Sequence, residues 1–112
     1  MQEPITLIAG ETLVDMFPTT DGRLADVETF ERRAGGAPAN LAVAMTRLGA
    51  APYLWTRLGS DPFGDHLADV LDRENVPDRF VEVDPNRKTA ATRRGRDSVR
   101  SRGNQYRSGI HR

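Results

Sequence analysis

The chain contains no cysteine, which excludes a disulfide framework and any thiolate metal site. Histidine is almost as scarce. His66 and His111 stand far apart in the sequence, so a zinc centre built on them is not expected. No apolar run approaches the roughly 18 residues that a membrane-spanning helix needs. The opening Met1-Gln2-Glu3-Pro4 lacks the basic start and apolar core of a secretory signal. An excess of charge of one sign is missing as well, because 16 basic and 16 acidic residues cancel. These absences lead to the expectation of a soluble, cytoplasmic protein without a membrane partner. A length of 112 residues suits one small domain.

The cancelled charge hides a break. Through Lys88 the chain carries 15 acidic and 9 basic residues, a net of −6. From Thr89 to Arg112 it carries Asp97 and 7 arginines, a net of +6. Hydrophobic patterning changes at the same place, and beyond Ala91 the large apolar residues are Val99, Tyr106 and Ile110. Such a segment cannot bury enough surface to offset its ordering entropy. The expected organisation is therefore a folded region over 1–88 and a basic, disordered tail over 89–112. The tail arginines could attract a polyanion. Only Tyr106 interleaves them, however, and no recognition motif surrounds them, so nucleic acid is not the expected partner.

What is present alternates in type. Residues 5–9, Ile-Thr-Leu-Ile-Ala, read as a buried strand ended by Gly10. Leu13 and Val14 continue it after a bend, with Asp15 at its end. Pro18 and Asp21-Gly22 mark a turn. Residues 23–33 are polar and read as one or two exposed hairpin strands. Residues 39–48 read as a helix with Leu41, Ala44, Met45 and Leu48 on one face, Pro38 in its first turn and Gly49 at its stop. Residues 52–58 give a second strand. Asp61-Pro62 starts a second helix, ending near Glu74, with Phe63, Leu67, Val70 and Leu71 on one face. Residues 79–83 give a third strand. Strands alternating with helices argue for a parallel sheet with crossover helices.

Few side chains carry chemistry. Gly35 and Gly36 permit a close backbone approach directly before a helix start, whose free N–H groups could hold a hydroxyl-rich or phosphorylated ligand. Asn40 adds an amide that both donates and accepts. Taken alone, this stretch is more often a tight connection. Asp15 ends a strand of an open α/β sheet, where ligands sit, and its carboxylate could accept two hydroxyl hydrogen bonds. Its plainer reading is a turn aspartate before Phe17-Pro18. The remaining candidates have structural explanations. Asp61 is a helix N-cap, Asp65, Asp69, Asp72 and His66 belong to the solvated helix face, and Trp55 packs in the core.

The stretch Gly35-Gly36-Ala37-Pro38-Ala39-Asn40-Leu41-Ala42, followed by six residues, Gly49, nine residues and Gly59, resembles the N-terminal signature of the PfkB (ribokinase-like) carbohydrate kinases. Gly10-Glu11-Thr12-Leu13-Val14-Asp15 resembles that family's first-strand motif. Gly59-Ser60-Asp61-Pro62-Phe63-Gly64 resembles its turn into the next helix. The resemblance covers roughly residues 4 to 90 and is strongest to fructokinases and 2-keto-3-deoxygluconate kinases. It implies an α/β fold, the N-terminal part of a three-layer α/β/α sandwich, with residues 23–33 belonging to a small β lid. It implies that Asp15, Gly35, Gly36 and Asn40 hold sugar hydroxyls, and that ATP and Mg serve the full-length family. It also admits a homo-oligomer joined through lid strands.

The family's catalytic aspartate lies in a "G-A-G-D" motif, which does not occur in these residues. No cofactor site is therefore expected within this chain. The arginine-rich run after "RKTA" resembles a GC-rich gene read out of frame, so a truncated or frameshifted sugar kinase is the expectation. The alternatives are a non-catalytic sugar-binding or partner-docking module derived from the family, and a short protein with a working basic tail.

Overall fold

The computed structural model describes residues 4–94. In chain order the elements are β1 (Leu7–Ala9), β2 (Leu13–Pro18), a 3-10 turn (Leu24–Asp26), β3 (Phe30–Gly35), α1 (Ala37–Arg47), β4 (Tyr53–Gly59), α2 (Pro62–Arg73), β5 (Val81–Asp84) and β6 (Ala91–Arg93). They divide into two compact units. The larger comprises the chain to Val14 together with Ala34–Ala90; the smaller comprises Asp15–Arg33 and the described residues from Ala91.

The larger unit is built on a parallel sheet in the order β1-β4-β5. Leu7, Ile8 and Ala9 pair with Tyr53, Leu54 and Trp55, and Thr56 to Gly59 pair with Val81 to Asp84. Alternation then puts Ile8, Leu54 and Leu58 on one face. Both helices pack there, closing a core of Ile8, Ala39, Ala42, Leu54, Leu71 and Val76. The opposite face carries Leu7 and Trp55, which are half exposed, so Trp55 is not the core residue its size suggested. Trp55 falls one position out of phase with Leu54, and no helix of the described residues covers its side.

The two helices differ in how well their spacing showed their inner face. Along α2, Leu67 and Leu71 are buried and Phe63 and Val70 half-buried, as the periodicity requires. His66 is half-buried and not on the solvated face. Along α1 the inner residues are Ala39 and Ala42, with Val43 and Met45 partly buried. Leu41 and Leu48 are 52% and 87% exposed, so the leucine stripe points away from the sheet. Alanines let the helix axis approach the strands more closely than leucines do, and that packing decided the rotation.

The smaller unit holds the outer residues of a sheet in the order β3-β2-β6. Within 23–33 the Arg23–Asp26 ion pair closes the 3-10 turn, and the strand begins only at Phe30. Two expectations change here. Leu13 to Asp15 do not extend β1: Gly10 and its neighbours break the strand, and Asp15 is the third residue of β2. Order also continues past Lys88, because Ala91–Arg93 form β6 and Arg94 N–H donates to the Met16 carbonyl at 2.8 Å. Backbone pairing needs no apolar side chains, which is why an arginine-rich sequence forms a strand there. Residues 95–112 of the expected tail lie outside the described residues.

Candidate functional site

The β3–α1 junction brings backbone segments into close contact. Gly36 is the N-cap of α1 at φ 97°, a conformation that side chains disfavour. A Cβ on it would lie 2.7 Å from the Glu11 carbonyl oxygen and 3.0 Å from Thr12 Cα. Gly36 is therefore required both by its angle and by its contact with the segment after β1. Gly10 is required from the other side, since a Cβ there would strike the Pro38 ring. Thr12, buried, donates its hydroxyl to the Gly35 carbonyl at 3.3 Å. Gly35 is buried too, and Asn40 is exposed in the first turn of α1.

No side chain caps α1, so the N–H groups of its first turn are left for another acceptor. Gly35 and Asn40, with Thr12, line one end of a cavity of about 340 Å³ that runs between α1 and α2. Arg47 and Glu74 stand at its other end, joined by two parallel hydrogen bonds of 2.9 and 2.5 Å. That pair holds the Glu74 carboxyl below the usual glutamate range. A second cavity, of about 330 Å³, opens at the carboxyl ends of β1, β4 and β5, between Gly10, Thr12, Gly59, Arg87 and Lys88. Ligands of open α/β sheets occupy that edge.

Asp61 anchors the end of β4. It accepts from the Gly64 N–H at 2.7 Å, from the Thr89 N–H at 2.7 Å and from the Thr89 hydroxyl at 2.7 Å. The Thr89 hydroxyl in turn accepts from the Gly59 N–H at 2.9 Å. These bonds, those from Thr89 and Gly64 N–H foremost, hold the Asp61 carboxyl below its ordinary value of 3.8. Both glycines of the Gly59-x-Asp61-x-x-Gly64 turn are needed for space. A Cβ on Gly59 would lie 2.5 Å from Thr89 N, and one on Gly64 would strike the Gly59 carbonyl. The N-cap reading of Asp61 is thus incomplete, because the cap also fastens residue 89.

Asp15 belongs to the smaller unit. It is 7% exposed, accepts a hydrogen bond from the Thr92 hydroxyl, and lies 3.5 Å from the Arg94 Nε. Two positions along β2, Phe17 is covered by the Arg33 guanidinium at 4.8 Å. The structure therefore brings Gly35, Gly36 and Asn40 together in one unit and gives Asp15 partners of its own in the other. Thr12, Thr89, Thr92 and Arg94 were not legible as site residues. Each is identified by a neighbour 23 to 79 positions away, and no local spacing encodes that. Among the described residues, no group of three or more His, Asp or Glu side chains is placed to hold a metal ion.

A parallel α/β unit with a glycine-required turn before an uncapped helix, and a cavity at the strand ends, defines a chain of the open-sheet α/β class. The model of the pfkB family of carbohydrate kinases matches residues 6–100, and the chain belongs to that family. A putative sugar kinase of Pyrococcus horikoshii is 44% identical over 80 residues, covering 71% of this chain and 26% of the relative. The probable chloroplastic fructokinase-6 of Arabidopsis thaliana is 41% identical over 90 residues, covering 80% and 23%. The structure of Halothermothrix orenii fructokinase superposes with a TM-score of 0.75 at 37% identity, over 80% of this chain and 33% of that one. The Pyrococcus protein has been solved in complex with ATP, and it superposes with a TM-score of 0.76 at 39% identity, over 80% and 30%. The chain spans about a quarter of the length of the curated relatives it matches. Its fold is thus the N-terminal portion of a ribokinase-like α/β architecture.

Proposed function

We propose that this chain carries the sugar-recognition portion of a fructokinase-like carbohydrate kinase, an enzyme that transfers a phosphoryl group from ATP to a sugar hydroxyl. Asp15, Gly35, Gly36 and Asn40 bind the sugar. The carboxylate and the amide exchange hydrogen bonds with hydroxyls, while the glycine turn lets the backbone approach them. The observation that carries this reading is the Gly36 turn, held at positive φ against Glu11 and Thr12 before an uncapped helix. The family signature falls on those same residues.

Phosphoryl transfer depends on positioning and charge stabilisation of the phosphates. These 112 residues contain no "G-A-G-D", so the general base and the nucleotide site are not among them, and the chain alone is a non-catalytic sugar binder. ATP and Mg belong to the activity of the full-length family. Thermal unfolding with and without D-fructose tests the proposal. Ligand at 100 times its Kd stabilises a folded protein by about 2.7 kcal/mol, so the midpoint should rise with fructose, and Asp15→Asn should abolish the rise. Formation of fructose phosphate from ATP by the isolated chain would contradict the non-catalytic reading. A second reading, docking onto a polypeptide partner, is favoured by one observation: the open side of the parallel sheet exposes Leu7 and Trp55.

A further inference from the structure

The strand β6 has few bonds of its own to hold it. It is 3 residues long, Ala91–Arg93, and in the sheet order β3-β2-β6 its neighbour is β2. The Val14 N–H donates to the Ala90 carbonyl at 3.0 Å just before it, and the Arg94 N–H donates to the Met16 carbonyl at 2.8 Å just after it. Thr92 is its half-buried residue, set between exposed Ala91 and Arg93, and the Thr92 hydroxyl donates to Asp15 Oδ1. Asp15 Oδ2 makes no hydrogen bond among the described residues and is left as an acceptor. Side chains alternate along a strand, so a slip of one residue would put Ala91 or Arg93 where Thr92 stands and strip Asp15 of its bond. What fixes the register lies just before the strand. Asp61 Oδ2 accepts from the Thr89 N–H at 2.7 Å, and Asp61 Oδ1 accepts from the Thr89 hydroxyl at 2.7 Å. The same hydroxyl accepts from the Gly59 N–H at 2.9 Å. A Cβ on Gly59 would lie 2.5 Å from Thr89 N, and one on Gly64 would lie 3.0 Å from Thr89 Oγ1, so there is little slack around this residue. Thr89 is thus held by its backbone and by its side chain at once.

We infer that Asp61 and Thr89 set the register of β6 against β2 and thereby orient the Asp15 carboxylate for its ligand. The inference rests on the proposed role of Asp15 in sugar binding. With residue 89 fixed, Thr92 meets Asp15, engages one carboxylate oxygen and leaves the other for a ligand hydroxyl. A binding constellation weakens when its supporting residues leave it about 1 Å loose. Asp61 and Thr89 do not touch the sugar; they are positioning residues that act through Thr92. Asp61 therefore serves twice, capping α2 through the Gly64 N–H and anchoring β6 through Thr89.

The test is calorimetric titration of the full chain with D-fructose, repeated for Thr89→Val, Thr89→Ser, Thr92→Val and the double variant with both valines. Valine removes the Thr89 hydroxyl while leaving the bond from Gly64 to Asp61, and serine keeps the hydroxyl. Each valine variant should bind fructose about tenfold more weakly, and Thr89→Ser should bind as the parent does. The double variant should also lose about tenfold rather than about a hundredfold, because the two residues act in one chain of contacts. Amide hydrogen exchange is the second readout. In Thr89→Val the Val14 and Arg94 amides should exchange faster, while the Gly10 and Tyr53 amides beside β1 and β4 keep their rates. Asp61→Asn still caps α2 but sets an amide where Thr89 needs a second oxygen. It should show the same exchange pattern, and serves if Thr89→Val does not fold. Unchanged fructose affinity in Thr89→Val, losses that multiply in the double variant, or a uniform rise in exchange each overturns the inference and leaves the sugar-site reading standing. Failure of the unsubstituted chain to bind fructose overturns the sugar-site reading and this inference with it.

Discussion

Gly36 concentrates two constraints in one residue, a positive φ and backbone atoms where a side chain would begin. Gly36→Ala should therefore destabilise the fold by about 1–3 kcal/mol from the backbone angle alone, with the clash against Glu11 added. Urea unfolding checks this. An unchanged denaturation midpoint would show that the turn relaxes freely. The nearby Asn40 is exposed and makes no packing contribution to the core, so Asn40→Ala should leave that midpoint within about 0.5 kcal/mol of the parent while weakening fructose binding. The contrast separates what the "GGAPAN" stretch does for folding from what it does for binding. The glycine pair was readable from sequence as a place of backbone freedom. That Gly36 presses on Glu11 and Thr12 was not, because the contact spans some two dozen positions.

At the scale of elements, the end of β4, the start of α2 and residue 89 form one polar unit through Asp61. Its carboxyl is held below 3.8 by hydrogen bonds to the charged form. A depressed folded-state value means that the ionised group adds stability above the unfolded value, and that this stability is lost as pH falls through the folded value. Lowering the pH from 4 into the range below 3.8 should therefore cost stability, and Asp61→Asn should flatten that part of the pH profile. Glu74, depressed by Arg47, acts in the same direction, so the double substitution with Glu74→Gln should flatten it further. Melting midpoints across this pH range decide the matter. A profile unchanged by Asp61→Asn would mean that its bonds to Gly64 and Thr89 are equally good in the neutral form. The two helix starts also show which element features are legible locally. Asp61-Pro62 announced α2 because an N-cap acts within three residues. The inner face of α1 was misread because leucine spacing says nothing about how closely a sheet draws a helix.

At the scale of the whole molecule, helices cover one face of the parallel sheet, and among the described residues none covers the other. Parallel sheets are ordinarily covered on both, and here Ile5, Leu7 and Trp55 stay in water. The isolated chain should self-associate with rising concentration, and Leu7→Lys should reduce that tendency without lowering the melting midpoint. Sedimentation velocity over a concentration series measures it. A monomer at every concentration would mean that the open face is inert. Trp55 supplies a second reading of the same face. Its fluorescence should be that of a solvent-exposed indole and should shift to shorter wavelength as the chain associates.

The alternation of α1 and α2 with the strands β1, β4 and β5, the parallel sheet, the family and the glycine turn were determined by the sequence itself. Each rests on signals that act over a few residues: capping, periodicity, and the freedom or restriction of glycine and proline. Tertiary structure alone decided that Asp15 sits inside a separate strand with Thr92 and Arg94 as partners. It also decided that Thr89 locks onto Asp61, that alanines rather than leucines face the core along α1, and that order continues past Lys88 into β6. Each of those outcomes depends on which distant backbone comes within hydrogen-bonding or packing distance. Such proximity is a property of the folded chain and not of any window of its sequence.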